Sequence, residues 1–164
     1  MKLIIYLGLF ICLFITNGKN LIAQEAKDSF VNTDTTFNVE LAQKFGADQY
    51  GMKHYVMAFL KSGPNQITDS ATLAQIQMAH LKNIQQLAKE GKLVVAGPFL
   101  DNQPIRGIFI LNVPTLEEAR ILTGTDPAIK AGVLEMELRP WYGSAALMGV
   151  VNLHKKIEKK SVTD

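Results

Sequence analysis

His54-Tyr55-Val56-Met57-Ala58-Phe59-Leu60 is a short apolar run bracketed by Lys53 and Lys61, and Ser62-Gly63-Pro64-Asn65 stops it. A short apolar run closed by turn formers reads as a buried strand. The period then changes. Leu73, Ile76, His80, Ile84 and Leu87 fall on one stripe at helical spacing, with Gly91 closing the segment. Asp69 or Thr72 suits the N-cap, and Gln75 stands at capping-box distance from Thr72.

Beyond Gly91, Leu93-Val94-Val95-Ala96-Gly97 reads as a second strand and Gly107 to Val113 as a third, with Asp101-Asn102-Gln103-Pro104 as the turn-forming stretch between them. Pro114-Thr115-Leu116-Glu117-Glu118 announces another helix, with Thr115 as N-cap and Glu118 reaching back. Leu116, Ala119, Ile121 and Leu122 carry that helix to about Thr123. From Val133 to Leu138, apolar residues alternate with Glu135 and Glu137, the pattern of a half-exposed strand. The order strand–helix–strand–strand–helix–strand predicts an α+β fold, the ferredoxin-like βαββαβ sandwich, with an antiparallel sheet and its helices on one face. The other face is left without helices. An apolar open face is costly in water, so a homodimer packed face to face is expected.

The remaining sequence frames this domain, expected over residues 49–148. The chain has 164 residues, 48% hydrophobic and 20% charged, which excludes a long disordered chain. At the N terminus, Lys2 precedes an apolar run from Leu3 to Thr16, too short for a bilayer span of roughly 20 residues. Asn17-Gly18-Lys19-Asn20 breaks it, and small residues follow at Ala23 and Ala26. Residues 1–24 therefore read as a signal peptide, with an uncleaved anchor as the alternative and export (periplasmic or secreted) as the consequence. Without that segment, fifteen basic side chains balance fifteen acidic ones. No electrostatic footprint for nucleic acid remains, and the mature chain holds no stable membrane span.

Cys12, the single cysteine, lies inside the apolar run behind Ile11, which is not the small residue a lipidation site needs. Cleavage would leave no thiol for disulfides, nucleophilic chemistry or metal binding. Residues 25–48, polar and mixed, read as a linker or arm. Residues 149–164, with Lys155, Lys156, Lys159 and Lys160, read as a charged, solvated tail.

Several phrases together resemble a known family. Ala79-His80-Leu81, followed by Glu90-Gly91-Lys92-Leu93-Val94-Val95-Ala96-Gly97-Pro98-Phe99, resembles the signature of the YCII-related domain. Asp126-Pro127, Ala131-Gly132-Val133 and Arg139-Pro140-Trp141 resemble that family's closing motifs, so the resemblance spans roughly residues 52–142. It implies a dimeric α+β barrel, a His–Asp site formed here by His80 and Asp126, and kinship with dehydrochlorinase and muconolactone-isomerase chemistry. No cofactor is implied.

The residues themselves admit two readings. His80 shares the inward stripe with Ile76 and Ile84, so its imidazole is either a general base or a core histidine satisfied by a buried partner. Asp126 before Pro127 is a helix start as well as a candidate orienter of an imidazole. Arg106 could grip a substrate carboxylate, and Phe99, Met136, Trp141 and Tyr142 could line a pocket for a small-molecule ligand or pack in the core. His54 and His154 stand apart from other ligating residues, so no metal site is expected. The function this supports is cofactor-free proton abstraction or elimination on a small organic acid or phenol. The alternative is a non-catalytic dimeric module that binds a small ligand or partner.

Overall fold

The structure is a computed structural model that describes residues 36–164. The segment read as a signal peptide, and the arm as far as residue 35, lie outside the described residues. The body from Asn38 onward is described below.

Four strands form its sheet: β1 (Met52–Ser62), β2 (Leu93–Pro98), β3 (Ile105–Leu111) and β4 (Leu134–Ser144). Their order is β2-β3-β1-β4 and every pairing is antiparallel. With helix α2 (Ser70–Lys89) after β1, and α3 (Leu116–Thr123) and the short α4 (Pro127–Lys130) after β3, this is the ferredoxin-like α+β arrangement.

Alternation along β1 divides the core. Val56, Ala58 and Leu60 point toward the helices and pack with Leu87, Leu93, Phe109, Leu111, Val113 and Ala119. Tyr55 lies on the opposite face with Val94 and Ile110, where Met57 and Trp141 pack against it. The two helices start where the sequence places their caps. Asp69 accepts from the Thr72 backbone N–H at 2.8 Å, and Thr115 accepts from that of Glu118 at 3.1 Å. Gly91, at φ 69°, turns the chain out of α2 in a left-handed conformation that an L side chain rarely adopts. Leu73, at the start of the predicted stripe, is 41% exposed, so the inward face of α2 begins further along.

Three boundaries depart from the sequence reading. β4 runs on to Ser144, because β1 supplies pairing partners from Met52 to Ser62 along its whole length. Pro140 is tolerated there because β4 is an edge strand. Residues 25–48 are not wholly a linker. Val39–Phe45 forms α1, capped by Asn38, whose side chain accepts from the Leu41 N–H at 2.8 Å, and closed by Gly46 at φ 66°.

Residues 149–164 are not simply a solvated tail. A 3-10 turn (Ala145–Gly149) leads into α5 (Val150–Ile157), and Leu147 and Met148 cover part of the sheet face that lacks helices. The Gln85 side chain then donates to Ser161 at 2.6 Å and Thr163 at 2.9 Å. Among the described residues, no helix is long and apolar enough to cross a membrane.

Candidate active site

His80 is buried, at 7% exposed, in the middle of α2. Its ring lies over Phe109 of β3, with centroids 6.0 Å apart and planes 17° from parallel. Asp126, fully buried, is the N-cap of α4. One of its oxygens, Oδ1, accepts from the Ala128 N–H at 2.8 Å, and the other stands 2.7 Å from His80 Nδ1. Pro127 in the first position fixes the chain in helical φ and has no N–H of its own to satisfy, so the cap and the imidazole share the carboxylate without competition.

The protonation pattern follows from donor and acceptor counting. An ionised carboxylate only accepts, so facing one His80 Nδ1 is the donor, and in a neutral ring Nε2 would then present the lone pair. Nε2 has no hydrogen-bond partner among the described residues. The one wholly enclosed side-chain polar atom without a partner there is Asn83 Nδ2, and the His80 side chain keeps 8% of its surface exposed. A neutral imidazole held by a buried carboxylate, with its other nitrogen free, is equipped to take a proton.

Asn83 stands one turn beyond His80, and the Thr125 hydroxyl, next to Asp126 in sequence, donates to Asn83 Oδ1 at 3.1 Å. Sequence reasoning passed over Asn83, although its i+3 spacing from His80 was a visible signal. Phe109 was equally legible from the alternation of the third strand.

The structure brings His80 and Asp126 together and leaves the other nominated residues elsewhere. Arg106 is exposed on β3, and Phe99, 47% exposed, lies just past the end of β2. Trp141 packs on Tyr55 on the opposite sheet face, ring centroids 5.8 Å apart. Met136 packs against the main core. Tyr142 donates its hydroxyl to Asp48 and lies 5.1 Å from the His54 ring. That hydrogen bond holds the Asp48 carboxyl below its usual range and pushes the Tyr142 phenol above its own.

Among the described residues, two clefts stand out. The first, about 360 Å³, lies on the sheet face opposite α2 and α3, between Met57, Phe59, Ile105, Arg139, Pro140 and Trp141. The second, about 270 Å³, lies where α1, α5 and the end of α2 meet. Neither includes His80 or Asp126. Among the described residues, no three of His, Cys, Asp and Glu gather into a metal-binding group.

An antiparallel α+β sandwich whose long helix buries a histidine against a helix-capping aspartate defines the class. The model of the YCII-related domain matches residues 54–142, more than half of the chain, and the chain belongs to that family. Among solved structures it is similar to 5-chloro-2-hydroxyhydroquinone dehydrochlorinase from Burkholderia phenoliruptrix AC1100, in complex with 2,5-dihydroxybenzoquinone. Identity is 20% and TM-score 0.41, over 54% of this chain and 93% of that one. The comparison with curated proteins gave no match.

Proposed function

We propose that the protein is a cofactor-free enzyme that abstracts a proton from a small organic acid or phenol, in an elimination or isomerisation, with His80 as general base. The observation that carries this reading is the 2.7 Å contact of His80 Nδ1 with a fully buried Asp126, which leaves Nε2 unpartnered. Asp126 fixes the tautomer and stabilises the imidazolium formed when Nε2 takes the proton. Transfer back from Nε2 to the product or leaving group would restore the neutral ring. Export by residues 1–24 and a homodimer formed through the part of the sheet face opposite α2 and α3 that the C-terminal segment leaves uncovered belong to the same reading. Half-buried Met57, Phe59 and Trp141 on that face support the dimer.

A second reading draws on a specific observation. His80 is only 7% exposed and neither cleft adjoins it, as in a core pair that serves stability within a binding module. His80→Asn separates the two. The variant keeps one hydrogen bond and roughly the original volume. Catalysis predicts a folded protein with no turnover on any acid or phenol that the wild type converts. The core reading predicts a loss of roughly 1–3 kcal/mol in stability and unchanged ligand binding.

A further inference from the structure

The cleft at the meeting of α1, α2 and α5 lies apart from the His–Asp pair, and residues outside the matched domain supply much of it. Its apolar lining comes from Phe45, Leu93, Val94, Met148 and Val151. The Phe45 ring is packed against Gly149, where a Cβ would come within 3.3 Å of it, so α1 is seated closely on the turn before α5.

Lys44, Lys89 and Lys155 also line the cleft, each from the last turn of its helix. No aspartate or glutamate lines it, and none of the three lysines has an ion-pair partner among the described residues. A lysine near a helix C-terminus also offsets the helix dipole, which explains each one singly. It does not explain why three line one recess. The α1 and α2 ends are already closed by backbone N–H groups, from Gly46 and Ala47 on α1 and from Glu90, Gly91 and Lys92 on α2. The ammonium groups are therefore free to meet another acceptor.

We propose that this cleft binds an amphipathic organic carboxylate, its apolar body on Phe45, Val94 and Met148 and its carboxylate among Lys44, Lys89 and Lys155. At about 270 Å³ the recess suits a compact monoacid with one or two rings, or a short branched chain, rather than a long lipid. α1 and α5, both outside the matched domain, close the recess.

Calorimetric titration of the full-length protein with 2-naphthoate tests this. Saturable binding below millimolar concentration is expected, at least tenfold tighter than for the neutral isostere 2-naphthalenemethanol. A Lys89→Gln/Lys155→Gln double variant should bind at least tenfold more weakly, and Ala88→Phe, which fills the recess, should abolish binding. Arg139→Gln in the other cleft and His80→Asn should leave the affinity unchanged. The proposal is overturned by no saturable binding, by equal affinity for the isostere, or by binding that survives the lysine changes. Loss of binding on Arg139→Gln would place the ligand in the other cleft and overturn it as well.

Discussion

Replacing Asp126 by Asn changes one atom's chemistry and almost no volume. Asn caps helices as well as Asp does, so its Oδ1 keeps the Ala128 N–H at the 2.8 Å contact. The amide nitrogen then takes the position 2.7 Å from His80 Nδ1. Two N–H groups cannot face each other, so the imidazole must move its proton to Nε2 and accept at Nδ1. Exchanging a charge-assisted hydrogen bond for a neutral one costs about 1 kcal/mol, or a fall in Tm of about 2–8 °C. Asp126→Ala loses the cap and strands a buried N–H, which costs about 2–4 kcal/mol.

The free lone pair on Nε2 disappears in the Asn variant, and with it the capacity to act as base. Long-range imidazole nitrogen–proton NMR, run beside urea melts, reads both consequences. The wild type should show His80 protonated at Nδ1, and Asp126→Asn should show it protonated at Nε2 with the fold intact. A wild-type ring protonated at Nε2, or an Asn variant as unstable as the Ala variant, would refute the reasoning.

Other perturbations have equally definite outcomes. Gly143→Ala puts a Cβ 2.2 Å from the Trp141 ring, a clash that costs roughly 1–3 kcal/mol. Because Trp141 is the single tryptophan, its emission should shift in the variant, and an unchanged spectrum and melt would contradict the packing. Glu137 is held below its usual carboxylate range by hydrogen bonds from Lys61 and then Arg139. A depressed folded value stabilises above the unfolded value, here near 4.5, and that contribution fades as pH falls through the folded one. Wild type and Glu137→Gln should therefore differ in Tm at neutral pH and converge in acid. A gap that widens in acid would reverse the sign. Light scattering at micromolar concentration should report a dimer and Phe59→Glu a folded monomer. A wild-type monomer would remove the sheet face opposite α2 and α3 as an interface.

The sheet and the two principal helices were legible because each carries an unbroken period and its own stop signals. The apolar run of β1 and the inward stripe of α2 placed His80 against the sheet. The partnership with Asp126 was not legible from periodicity, because contact across 46 residues leaves no local pattern. It came only from the family resemblance.

The short helices flanking the domain were hidden for physical reasons. α1 buries none of its seven residues, so its apolar positions Val39, Leu41 and Ala42 lacked the contrast of an inward face. Only the Asn38 and Gly46 caps marked it. In α5 the run Lys155-Lys156 masked the helical spacing of Val150, Leu153 and Ile157, of which the last two remain largely exposed. The pocket residues scattered because alternate positions of one strand face opposite ways. Trp141 and Tyr142, adjacent in sequence, could not line one pocket on a single face of β4.

Ethoxycarbonylation by diethyl pyrocarbonate, mapped by mass spectrometry over time, tests most directly whether Nε2 of His80 is open to small reagents. His54 and His154, both exposed, serve as internal standards. The account predicts that His80 is modified in the folded protein, more slowly than the other two and to completion. A His80 that stays unmodified after both standards have fully reacted would show a sealed core histidine and contradict the catalytic reading.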